Sequence, residues 1–134
     1  MRTRSLHAFI LPLLLSFAGC QADVTGSSGS NLPAVGNARN SFGFSVRART
    51  LDLDQSYPLS FDADSVSVGL AVVGYGAGSA EFQLLDASGQ VLFTRDLGVN
   101  TAEGNASLAV RRPATARVRF SGYSGIVAIG VGGK

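Results

Sequence analysis

Tryptophan is absent from this 134-residue chain, cysteine and histidine occur once each, and charged residues make up only 15%. Each scarcity excludes something. The lone cysteine, Cys20, rules out an intramolecular disulfide framework. The lone histidine, His7, lies near the N-terminus, so the rest of the chain has no base for a Ser-His or Cys-His nucleophile pair, and no H-E-x-x-H or Ser-x-x-Lys pattern occurs. Without tryptophan, sugar binding loses its usual stacking platform. So little charge is uncharacteristic of a helical bundle, while 46% hydrophobic residues are too many for a disordered chain.

The net charge of +2 is carried by Arg2 and Arg4; without them nine basic residues face nine acidic ones. A neutral body lacks the electrostatic footprint that nucleic-acid phosphates require, so no nucleic-acid partner is expected. What the chain does have is glycine, 17 in all, and short apolar runs between turn residues.

The N-terminus opens with a short basic segment, Met1 to Arg4, and an apolar stretch from Leu6 to Ala18, interrupted by Pro12. About 13 apolar residues fall short of the roughly 20 that span a bilayer. The pattern is that of a secretory signal peptide, residues 1–19, removed on maturation. Small residues Ala18 and Gly19 stand immediately before Cys20.

Phe17-Ala18-Gly19-Cys20 resembles the lipobox of bacterial lipoproteins, although Phe17 replaces the usual leucine. The resemblance covers the first 20 residues only. It implies that Cys20 is the lipid attachment site, carrying a thioether-linked diacylglycerol and becoming the acylated first residue. The thiolate is the nucleophile that accepts the lipid, and two or more acyl chains make anchoring stable where one would be marginal. Apart from this covalent palmitate-type lipid, no cofactor is expected. Gln21 stands where an Asp would imply inner-membrane retention in enterobacterial relatives, so the expected location is the outer membrane of the cell envelope, on its periplasmic face or at the surface. Ordinary secretion, with cleavage near Ala18 or Ala22, is the alternative.

Residues 20–40 are rich in Gly, Ser, Asn and Ala without apolar periodicity, and are expected to form a flexible tether. From residue 41 to 134, period-two alternation predicts one all-β domain, an antiparallel β-sandwich of jelly-roll type with about eight short strands. Phe42, Phe44, Val46 and Ala48 alternate with Gly43, Ser45, Arg47 and Arg49, and the phase slips at Leu51 and Leu53, predicting a bulge near Thr50. Turns are expected at "DQSYP", "GYGAG", "DASG" and "SGYSG". The run Ile126 to Val131 suggests a central strand, or one finishing against the other sheet.

Several groupings bear on chemistry. Gly74, Gly76 and Gly78 faintly resemble a dinucleotide-binding turn, but Ser79 stands where the third glycine belongs and no helix of sufficient length follows. Asp52/Asp54 and Asp62/Asp64 have the spacing that puts two carboxylates on one side of a strand, and flanking one turn they are candidate calcium ligands. Solvated faces and turn capping are the simpler reading. Arg47/Arg49 and Arg117/Arg119 form basic pairs on outer strand faces, suited to cross-strand ion pairs or to lipid headgroup phosphates. Tyr75 and Tyr123 lie among glycines and are candidate binding-loop platforms, or else core-capping aromatics.

The sequence thus points to a membrane-anchored, non-catalytic binding or assembly module with a protein or glycan partner. A self-associating structural component, pairing through the run Ile126 to Val131, is one alternative. A small glycoside hydrolase, which needs two facing carboxylates, is another.

Overall fold

The structure is a computed structural model that describes residues 29–99, 101–108 and 112–134. The expected signal segment, with His7 and Phe17, the attachment site Cys20 and the first part of the expected tether lie outside the described residues. Among the described residues there are six strands: β1 (Ala34–Ala38), β2 (Ser41–Pro58), β3 (Val66–Leu85), β4 (Val91–Asp96), β5 (Thr101–Leu108) and β6 (Thr115–Gly133). All pairings are antiparallel, in the order β1-β2-β6-β3-β4, with β5 also paired to β3.

Three of these strands are long enough to belong to both layers. Residues 41–48 of β2, 125–133 of β6 and 66–73 of β3 form one wing, edged by β1 and β5. Residues 53–58 of β2, 115–120 of β6 and 79–85 of β3 form the other, edged by β4. Between the wings all three strands break register at the same level, around residues 48–53, 73–79 and 120–125. Positive φ values cluster there, at Thr50 (51°), Gly74 (64°), Gly78 (82°) and Gly122 (55°). Strands that turn a corner through bulges let one sheet fold onto itself.

The fold brings aromatic rings of the two wings together. Phe44 stacks on Phe120 with centroids 6.0 Å apart, and Phe42 lies 5.6 Å from Tyr57. Val66, Val68, Phe82, Leu84, Val118 and Val127 complete the interior and are almost wholly buried. Alternation decides which face goes in: Phe42, Phe44, Val46 and Ala48 are buried while Ser45, Arg47 and Arg49 stay wet. A corner slip of one residue then changes the parity. Inward positions are even up to Phe120 in β6 and odd from Tyr123 onward, so the same face stays buried on both wings.

The antiparallel sandwich expected from the sequence is therefore what forms, with six strands among the described residues where about eight were expected. "GYGAG" and "SGYSG" do not end strands; their glycines carry β3 and β6 round the corner. No turn forms at "DQSYP", because β2 runs through to Pro58 and the chain leaves the sheet at residues 59–65. The bulge expected at Thr50 is present. At "DASG", Asp86 Oδ1 accepts bonds from the Ser88 and Gln90 amides at 2.9 Å, and Gly89 takes a φ of 84°.

Part of the segment expected to be a tether is ordered strand. Residues 34–38 pair with β2 as an edge strand, and Asn31 ties the preceding segment to the corner. The side chain of Asn31 mimics a strand partner: its Oδ1 accepts from the Arg49 amide at 2.7 Å and its Nδ2 donates to the Arg49 carbonyl at 2.9 Å. The run Ile126 to Val131 is a central strand, paired to β2 on one side and β3 on the other. It offers no free edge for self-association.

Candidate functional site

The sandwich has two outer faces, and they differ in charge. On the outer face of the second wing, the register places Asp54 opposite Arg119, Arg119 opposite Glu81, and Glu81 opposite Asp96. With Asp52, Ser79 and Ser121 at the corner, these residues line an open groove of about 680 Å³. Four carboxylates and one arginine thus share one depression.

Most of these groups are tied to the protein. The Arg117 guanidinium forms a two-pronged bond to Asp54, at 2.9 and 2.7 Å, and Arg119 stands 3.8 Å from the same carboxylate. The hydrogen bond from Arg117, reinforced by the charges of Arg117 and Arg119, holds the Asp54 carboxyl below its usual range despite a partial opposing effect of burial. The same bond raises the Arg117 pKa. Asp52 Oδ1 accepts from the Gly122 amide at 2.8 Å, and Asp96 Oδ1 from the Gly98 amide at 2.7 Å. Glu81 lies between Arg119 on one side and Asp96 on the other, and the step from Glu81 to Asp96 is the one in this row that sets like charges opposite one another.

The candidate calcium ligands are not brought together. Asp52 and Asp54 sit at the corner and on the second wing, whereas Asp62 and Asp64 lie in the 59–65 connection at the opposite, open end. That connection is pinned there, since Asn40 accepts from the Asp62 amide at 2.8 Å and donates its own amide to Ser60. Asp62 pairs with Arg39 at 2.6 Å, and Asp64 lies 3.7 Å from Arg112. Among the described residues no group of three metal-ligating side chains occurs.

Tyr123 and Tyr75 are not exposed platforms. Tyr123 is fully buried at the corner, its hydroxyl donating to the Leu97 carbonyl at 2.8 Å and its ring edge-on to Phe120 at 5.2 Å. Burial, with the charges of Tyr75 and Asp96 adding to it, pushes its pKa up to about 12. Tyr75 packs against it at 5.7 Å, and the Tyr75 hydroxyl donates to the Gly78 carbonyl at 2.8 Å. Both rings brace the corner, because a chain turning through glycines leaves a hollow that a large side chain must fill.

Glu81 was not singled out by sequence reasoning, whereas Ser79 and Asp96 entered it only through the comparison with a dinucleotide-binding turn, Asp96 as the acid about 20 residues after the glycines. The two basic pairs also part company. Arg117 and Arg119 make the cross-strand ion pairs expected of them. Arg47 and Arg49 lie on the first wing, exposed, with no ion pair among the described residues. No helix among the described residues is long and apolar enough to cross a membrane.

No known family profile matches the chain, and no curated protein matches it. Two solved structures are similar: "Structure of infectious bursal disease virus Gx strain" and "Crystal structure of infectious bursal disease virus VP2 subviral particle". Each shares 17% identity over 77% of this chain at a TM-score of 0.36. The chain spans 33% of the length of those proteins. So low a TM-score assigns neither topology nor function.

Proposed function

We propose that the protein is an envelope lipoprotein, held by a lipid on Cys20, whose sandwich is a non-catalytic binding module for a protein partner. The observation that carries the binding role is the groove of the second wing, where the row Asp54, Arg119, Glu81 ends on a second carboxylate, Asp96, on the edge strand β4. Repulsion between Glu81 and Asp96 lowers the stability of the free domain, and a lysine or arginine from a partner relieves it. A protein partner is favoured over a glycan because the tyrosines that would stack on sugar rings are built into the corner. A hydrolase reading fares worse: a general acid needs a raised pKa, and Asp54 is held low by Arg117.

Two experiments test the two halves of this reading. Radiolabelled palmitate is expected to enter the wild-type protein in cells and not the Cys20→Ser variant; equal labelling of both, or of neither, removes the anchor. A photo-crosslinking residue at Ser79, which lines the groove, is expected to form a protein adduct in intact cells that charge reversal at Glu81 abolishes. Absence of any adduct removes the module.

A further inference from the structure

The described chain enters the fold at the corner, beside its unpaired arginines. The Asn31 amide donates to the Arg47 carbonyl at 2.8 Å, and the Asn31 side chain holds Arg49. From Cys20 to Gly29 there are nine residue steps, which even at full extension reach about 30 Å. An anchor at Cys20 therefore keeps this corner close to the bilayer, whatever else the domain does.

The face beside that corner suits such a neighbour. In the register Arg47 lies opposite Ile126, and Ile126 opposite Val73. Val73 is 60% and Ile126 41% exposed, large apolar side chains next to a basic pair. The rest of the first wing's outer face is made of small residues including Gly43, Ser45, Gly69, Ala71, Ala128 and Gly130, several of which line a shallow open depression. Its positions on β2, β3 and β6 carry no carboxylate, whereas the opposite outer face carries Asp54, Glu81 and Asp96. Arginine stems lie along apolar surface while their heads reach phosphate.

We propose that the outer face of the first wing docks on an anionic bilayer, with Arg47 and Arg49 on headgroup phosphates and Val73 and Ile126 in the interfacial layer. This rests on the anchor reading above. The acidic groove then points away from the membrane. Attraction falls off within a Debye length, so the docking is salt-sensitive.

The chain's own composition supplies the test. Cys20 is the only thiol and there is no tryptophan. The chain from residue 20 onward, which contains every strand and every core residue of the fold, is coupled through Cys20 to a maleimide lipid in vesicles containing phosphatidylglycerol. Chemical coupling makes the outcome independent of whether cells acylate Cys20. Single reporters are introduced as Val73→Trp on the first wing and Thr94→Trp on the second, and quenching by lipids brominated near the headgroup is read. The Val73→Trp reporter is expected to be quenched and blue-shifted, and Thr94→Trp to be unaffected. Raising salt to about 0.5 M, or adding Arg47→Glu with Arg49→Glu, is expected to lower the docked-to-free ratio by roughly tenfold. Equal quenching of the two reporters, or a Val73→Trp signal indifferent to salt and to the arginines, overturns the proposal.

Discussion

A comparison of glycines at the corner tests how the sheet folds onto itself. Gly74, Gly78 and Gly122 all have φ between 55° and 82°, where an L-residue with a side chain is disfavoured. Alanine at any of them costs on the order of 1 kcal/mol for the left-handed conformation alone. Space separates the three. A Cβ on Gly74 or Gly122 would meet nothing within 4 Å, whereas one on Gly78 would lie 2.3 Å from the Gly122 carbonyl oxygen and 2.6 Å from that of Ser121. No rotamer relieves that overlap, because both atoms belong to the backbone of β6.

Gly78→Ala must therefore push β3 away from β6 at the one level where the strands change wings. That adds a steric cost of the size overpacking carries, typically about 1–3 kcal/mol, and disturbs the packing around Tyr123 at the same level. The expected losses are about 1 kcal/mol for Gly74→Ala and Gly122→Ala, and about 3 kcal/mol or more for Gly78→Ala. For a domain of roughly 100 residues, each kcal/mol lowers Tm by about 4–8 °C. Thermal melts followed by circular dichroism, with urea titration as a second measure, give the three values. Equal losses at all three positions would refute the close approach of β3 and β6 at the corner.

Other expectations follow from named contacts. Tyr123→Phe deletes the hydroxyl that satisfies the buried Leu97 carbonyl, costing about 1–2 kcal/mol in a urea titration. Tyr123 itself should give alkaline sensitivity: with the folded pKa raised to about 12, the unfolded chain loses its phenolic proton first, near pH 10. Stability is complete below that pH and falls as pH rises toward 12, by on the order of 2 kcal/mol; Tyr123→Phe should flatten that limb. At the acid end, the Ser88 hydroxyl and the amides of Gln90, Ser88 and Gly89 hold Asp86 below its usual pKa. Its contribution is present above the unfolded carboxylate pKa near 4 and lost as pH falls through the folded value, so melts from pH 5 to 2 should slope less for Asp86→Ala. Asp96→Asn keeps the acceptor for the Gly98 amide while removing the repulsion with Glu81. It should raise stability by a few tenths of a kcal/mol and weaken capture of the partner.

The strands were legible in the sequence because alternation reports burial directly. Phe42 to Ala48 and Val66 to Val72 face the core as their spacing requires. The corner was half legible. A phase slip marks Thr50, but β3 keeps even inward positions from Val72 to Ala80 and Phe82, so no slip betrays its bend and the glycines look like a loop. Tyr123 was hidden by the same glycines, which free the backbone to place a buried ring. β1 was missed because a short polar edge strand has no apolar face to show.

The groove was illegible for a more specific reason. Counting outward from the Asp86 turn, where the Asp86 amide bonds the Gln90 carbonyl, sets Asp96 against Ala80, on the inward face. The register shift between Leu84 and Leu85 moves the pairing by one, so that Asp96 meets Glu81 instead. A single bulge thus decides whether four carboxylates share a surface.

The central claim is that this sandwich is held to a membrane through the sulfur of Cys20, and the mass of the N-terminal peptide from protein purified out of its native envelope tests it most directly. The account predicts a chain beginning at residue 20 and carrying a diacylglyceryl thioether. An unmodified N-terminus, at residue 20 or anywhere else, would contradict it.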